Sequence, residues 1–228
     1  MDFLRDAQFG DRLITMMAAL VLVLQIAMVA QRWLITNIRM FGAQSFLLAA
    51  IAGTIAYFNQ APHVYVAAIL TLVLKAILVP QLLERLVAKI EIVQEIEPLI
   101  NVPISVLISG GLTMVAYVVT ESFHRPEERL SPASLGHNTL AVAISLFLIG
   151  FFMMVNRRKA LTQVLALLCL ENGLFLAAIS LTYGMPLIVE LGIFFDVLVA
   201  VLVFGILVYR IRETFASMDV SRLRKLRG

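Results

Sequence analysis

Four ionisable side chains stand where a lipid bilayer would tolerate them poorly. Glu171 lies at the centre of the apolar stretch 161–182, and Lys75 lies slightly to one side of the middle of 62–83. Asp196 falls within about two residues of the centre of 186–209, and Glu190 about one helical turn inside its start. A charge at the bilayer centre costs at least about 2.5–3.5 kcal/mol on insertion scales, so such groups face a protein interior or a wet cavity. Desolvation raises the pKa of a carboxylate and lowers that of an ammonium, bringing both toward neutrality. Groups tuned in this way can take up and release protons at physiological pH. Two kinds of chemistry are open to Lys75, Glu171 and Asp196: a proton or ion relay, or a static polar staple between helices. For Glu190 the competing reading is an interface charge that snorkels to the headgroups. Six residue steps put Glu190 and Asp196 about 120° apart on a helix, so they do not share a face.

Polar neighbours add to this set. Asn172 and Gly173 follow Glu171 directly, supplying an amide and a site of close backbone approach, and Gln44 occupies a similar depth in its own apolar stretch. Pro80 predicts a kink or a freed backbone carbonyl about one turn beyond Lys75. Other chemistries find no support. The single cysteine, Cys169, sits in an apolar run and excludes an internal disulfide or a thiolate cluster. His63, His124 and His137 lack metal-ligand spacing, and no Gly-rich phosphate loop or nucleophile elbow is present. The expectation is therefore a chain with no metal, no cofactor and no catalytic centre of its own.

The elements that must position these residues follow from composition. Of 228 residues, 61% are hydrophobic and 14% charged, too few charges to coat a globule. Stretches long enough to cross a hydrocarbon core of about 30 Å are found at 13–31, 40–58, 62–83, 99–120, 138–156, 161–182 and 186–209. The predicted fold is all-α, a polytopic integral membrane protein with seven transmembrane helices. The first stretch is too long for a signal-peptide core and reads as a retained helix. Asn59-Gln60-Ala61 before Pro62, and Tyr183-Gly184-Met185 before Pro186, predict tight helical hairpins. Segment 83–97 reads as an amphipathic helix that prolongs the third span or lies on the membrane surface.

Charge sets the direction. Arg32, Arg39, Arg85, Lys89, Arg157, Arg158, Lys159 and six cations of the tail fall on one side, and Arg5, Arg12, Arg125 and Arg129 on the other. The positive-inside rule then puts the N-terminus outside and the tail in the cytoplasm of a cell (inner) membrane. This placement explains the net charge of +3 as topology, with no nucleic-acid partner. Similar segments at 46–52 and 174–180 suggest a tandem repeat. The chain divides into a three-helix unit with its amphipathic segment (1–98), a connecting helix and outer loop (99–137), and a second three-helix unit with a basic tail (138–228).

Lys75-Ala-Ile-Leu-Val-Pro80, Leu170-Glu-Asn-Gly173, Val189-Glu-Leu-Gly-Ile-Phe-Phe-Asp196 and the tail from Met218 to Gly228 resemble the hydrogenase-4 component E family over nearly the whole chain. The resemblance implies a membrane subunit of group 4 nickel–iron hydrogenase complexes such as formate hydrogenlyase, or of related complexes. Its partners would be antiporter-like and complex-I-like membrane subunits within the lipid bilayer, with the redox centres held elsewhere. The last three helices are similar to the small three-helix subunit of respiratory complex I, subunit K in bacterial naming. By that likeness Glu171 and Asp196 match its two membrane glutamates, and Arg157-Arg158 match its cytoplasmic arginine pair. The second carboxylate is shorter here by one methylene, and Lys75 has no counterpart in the small subunit. A connector without a proton path, or a cation/proton antiporter component, are the alternatives.

Overall fold

A computed structural model of the chain describes residues 7–58, 60–89, 98–123 and 137–182. Regular structure there is helical throughout: α1 (Ala7–Ala30), α2 (Leu34–Phe58), α3 (Pro62–Leu70), a π-helical segment (Thr71–Leu78), α4 (Val79–Lys89), α5 (Val102–Phe123), α6 (His137–Asn156) and α7 (Ala160–Thr182). α3, the π segment and α4 run on without a break, so these elements supply six spans long and apolar enough to cross a membrane. The chain is a multi-pass membrane protein. The expected seventh span, 186–209, lies outside the described residues, as do the tail and residues 90–97 of the amphipathic segment.

The helices outrun the apolar stretches that predict them. α2 begins at Leu34 and not at 40, and α1 at Ala7 and not at 13. Hydropathy marks where the hydrocarbon ends, whereas a helix continues until its backbone groups find other partners. At the start of α2 the Gln31 carboxamide oxygen accepts the backbone N–H of Arg32 (2.8 Å) and Trp33 (3.2 Å). Farther along, Arg39 on α2 pairs with Glu84 on α4 at 2.8 Å, which fastens the third span to the second where both emerge from the apolar zone. This exposed pair contributes little stability by itself.

The expected hairpin between the second and third spans is present. Gln60 adopts a left-handed backbone (φ 50°), the Ala61 N–H reaches back to the Ala56 carbonyl at 3.1 Å, and Pro62 opens α3. This is the 6→1 closure by which helices commonly terminate. Between α6 and α7 the connection is also three residues long.

Two buried apolar clusters hold the bundle. One gathers Met28, Ile38, Phe41, Leu83, Ile149, Leu165 and Cys169 toward the Arg157 end. The other gathers Ile14, Val21, Leu48, Ile55, Val64, Leu146, Leu176 and Ile179 toward the opposite end. In α1, α2, the third span and α7, the residues between the two clusters are polar: Gln25, Gln44, Ser45, Thr71, Lys75, Glu171 and Asn172, all buried. Large apolar side chains such as Leu107, Met114, Val118 and Ile69 face outward, as expected of surfaces solvated by lipid.

Candidate functional site

Lys75 and Glu171 meet inside this polar layer. The Lys75 ammonium lies 3.6 Å from Glu171 Oε2, and each side chain is 4% exposed. The ammonium also sits 5.5 Å from the centre of the Phe175 ring, one turn along α7 from Glu171. A ring face at that distance attracts a cation, so the lysine has an anionic and an aromatic neighbour on the same helix.

Lys75 owes its direction to the winding around it. Residues 71–78 are π-helical, and the Val79 N–H bonds five residues back to Leu74 O. Pro80 follows at once and has no N–H to offer the preceding turn. The wide winding is the form taken by the break that the sequence predicts near Pro80. Extended π winding is rare and concentrates at functional positions.

Beside the ion pair runs a chain of side-chain amides across three helices. Asn172 Nδ2 donates to Gln44 Oε1 at 3.1 Å and to Ser45 Oγ at 3.2 Å. Gln44 Nε2 donates to Gln25 Oε1 at 2.7 Å and to the Val21 carbonyl at 3.4 Å. Gln25 Nε2 ends the chain on the Met153 sulfur at 3.4 Å. The structure thus joins two residues singled out in the sequence, Gln44 and Asn172, directly, and extends the chain to a third, Gln25, that the sequence alone does not single out. Gln25 had the same signature as Gln44, an amide inside an apolar run. Gly173 makes the close approach expected of it, since a Cβ there would lie 2.6 Å from the Phe147 nitrogen on α6.

The two arginines of the 157–158 pair differ. Arg158 is exposed, whereas Arg157 is 3% exposed and donates through Nη2 to the carbonyls of Met28 (3.1 Å) and Val29 (3.3 Å). A cation at those carbonyls complements the C-terminal end of α1. Burial lowers the Arg157 pKa to about 10, against a smaller raising influence of Cys169, and leaves the group charged at neutral pH. Its neighbour Asn156 receives the backbone N–H groups of Leu99 and Ile100, each at 2.9 Å, and donates to Ser105 Oγ at 3.1 Å. Gln163 on α7 donates to the Arg157 carbonyl at 2.9 Å, so this end of α6 ties together α1, α5 and α7. Asp196 and Glu190 lie outside the described residues. Among the described residues, no three His, Cys, Asp or Glu side chains come together as a metal site.

Chemically, the pair brings a carboxylate and an ammonium, both proton-bearing groups, to one point of the layer. The amides hold their hydrogens near neutral pH and can only orient what lies beside them.

Comparison with known proteins gives two kinds of relative. The uncharacterized protein Rv0085 of Mycobacterium tuberculosis is 37% identical over 191 residues, covering 83% of this chain and 84% of its own length. Hydrogenase-4 component E of Escherichia coli is 24% identical over 220 residues, covering 96% of this chain and 99% of that one, and the Shigella flexneri protein gives the same figures. No family model and no solved structure matches the chain.

Proposed function

The chain belongs to the hydrogenase-4 component E family as a distant member, and on that premise we propose that it is a membrane subunit of a hydrogenase-type redox complex that carries part of a proton (or ion) path. The observation that supports this most is the Lys75–Glu171 pair, two ionisable groups at 3.6 Å between apolar clusters at mid-span. Redox chemistry takes place in other subunits, and its free energy moves the proton through this one. Glu171 takes up and releases the proton, Lys75 supplies a positive charge that favours release, and Asp196 and Glu190 are the further carboxylates of the path. Gln44 and Asn172 support the site, and Arg157 and Arg158 mark its cytoplasmic side. The N-terminus faces outward and the tail inward.

A second reading has its own observation in favour. A buried ion pair flanked by amides hydrogen-bonded from helix to helix is also what an interhelical staple looks like, and the chain would then be a connector between membrane subunits. The Glu171→Gln and Asp196→Asn variants of the complete complex separate the two. The relay reading expects the complex to assemble and oxidise its donor while proton translocation into membrane vesicles falls away. Normal assembly with unchanged translocation in both variants would defeat the relay, and loss of assembly would support the connector.

A further inference from the structure

The amide chain has a direction, and that direction is fixed by its last acceptors. A thioether sulfur can accept a hydrogen bond and cannot donate one, so Gln25 must turn its nitrogen toward Met153 and its oxygen toward Gln44. Gln44 must then present nitrogen to Gln25, an orientation that the acceptor-only Val21 carbonyl at 3.4 Å also demands. Its remaining oxygen can meet only a donor, so Asn172 must offer its nitrogen. Amide orientation is often arbitrary, because oxygen and nitrogen exchange places at little cost. Here the sulfur and the carbonyl remove the choice three residues away.

The consequence falls on Asn172 Oδ1. It is turned out of the chain, the residue is fully buried, and the oxygen has no hydrogen-bond partner among the described residues. A buried carbonyl without a donor is costly, and a buried water is the usual remedy in polar sites. Asn172 follows Glu171 on α7, so the two side chains stand at one depth but about 100° apart, Asn172 reaching toward α2 and Glu171 toward Lys75 on the third span, two elements packed side by side by the Pro62 hairpin.

We propose that Gln25 and Gln44, held by the Met153 sulfur and the Val21 carbonyl, are positioning residues that aim the Asn172 carbonyl as the acceptor for a single proton-carrying water beside Glu171. The inference rests on the relay reading given above. The water accepts a proton at its oxygen from the Glu171 carboxyl as it passes the hydrogen not held by Asn172 to the next ionised carboxylate of the path, so it stays neutral overall, that carboxylate becomes protonated, and Glu171 is left ready to be reprotonated. The carbonyl keeps that water in place with one hydrogen pinned, which sets the direction of transfer.

The test uses the intact complex. A high-resolution structure of the wild-type assembly should show water density within hydrogen-bond distance of Asn172 Oδ1. Translocation and its pH profile are then compared across Glu171→Gln, Asn172→Leu, Gln44→Leu and Gln44→Glu in membrane vesicles. Gln44→Leu releases the Asn172 amide and should lower translocation about tenfold or more with a displaced pH profile, as expected when a reacting group loses its placement. Gln44→Glu, neutral when desolvated, keeps an acceptor for Asn172 and a hydroxyl donor for Gln25, and should restore most of the loss. A dry Asn172 carbonyl, or an amide facing the other way, overturns the inference. So does normal translocation with an unshifted pH profile in Gln44→Leu and Asn172→Leu while Glu171→Gln fails, a result that leaves the relay reading standing. Normal translocation in Glu171→Gln overturns the relay reading itself, whatever the density shows.

Discussion

Lys75 and Glu171 carry opposite charges in a place where neither would be stable alone. Taking one partner of a buried pair away leaves an uncompensated charge and costs about 3–5 kcal/mol, whereas replacing both with neutral groups of similar size is often close to neutral. Lys75→Met and Glu171→Gln should therefore each lower the thermal stability of the purified complex, and the double variant should recover a substantial part of the loss. Additive losses measured by a double-mutant cycle would show that the two groups do not depend on each other. Arg157 and Arg158 allow a second residue-scale test. Arg157→Ala strips two helix-end carbonyls of their buried donor and should lower the melting temperature clearly, whereas Arg158→Ala, exposed, should stay within about 0.5 kcal/mol of the parent. The pH behaviour follows from sign. Burial lowers the Arg157 pKa to about 10, so the folded state holds this proton less firmly than the unfolded chain, and stability rises only as pH climbs above about 10. Between about pH 6 and 8 the group is charged in both states. The stability difference between the parent and Arg157→Ala should then be flat across that range. A slope there would mean that Arg157 is coupled to a titrating partner.

Helices, more than loops, set the geometry of this site, and two of them approach unusually closely. A Cβ at Gly150 on α6 would stand 2.7 Å from the backbone of Leu170 on α7, and one at Gly173 on α7 would stand 2.6 Å from the backbone of Phe147 on α6. Backbone cannot yield as a flexible side chain can, so either helix must move to admit a methyl group. Small residues at a crossing are how membrane helices pack without a hydrophobic driving force. Gly150→Ala and Gly173→Ala should each displace α7, and with it Glu171 and Asn172, giving loss of both stability and translocation. Gly110→Ala on α5, where nothing lies within 4 Å of an added Cβ, should be neutral or stabilising by up to about 1 kcal/mol through helix propensity. Equal effects at Gly150 and Gly110, read by thermal shift, would refute the close crossing. Much at this scale was legible in the sequence. Six of the seven apolar stretches are spans among the described residues, the seventh lying outside them, while Pro62 marked its hairpin and Gly173 its contact. The π winding around Lys75 was not legible beyond a break at Pro80. Local sequence records the missing N–H, whereas tertiary packing decides how the turns before it accommodate the loss.

Across the whole molecule, a polar layer between two apolar clusters is the arrangement a membrane favours when ionisable groups must be kept at depth: lipid is excluded by outward-facing aliphatic side chains, and bulk water, as distinct from a single buried molecule, by clusters on either side. Charges and amides at mid-span announced such a layer in the sequence. Which of them would touch was not announced, because the rotation of each helix about its axis depends on every neighbour at once. Lys75 thus came to Glu171, and Gln25 joined Gln44, through packing that no single segment encodes. Orientation is the remaining whole-molecule property, and it rests on charge. Arg32, Arg39, Arg85 and Arg158 gather at one end of the bundle with the exposed Trp33, while the exposed Tyr57 and Tyr65 lie at the other. Aromatic residues of this kind belong at the two membrane–water interfaces, and by the positive-inside rule we propose that the cation-rich end faces the cytoplasm. In a Cys169→Ala background, the variants Gln60→Cys and Arg158→Cys sit in exposed turns at opposite ends. An impermeant maleimide should label Gln60→Cys in intact cells and Arg158→Cys only in inverted vesicles. The reverse pattern would turn the molecule over in its membrane, and would place the Arg157 end of the bundle on the outside.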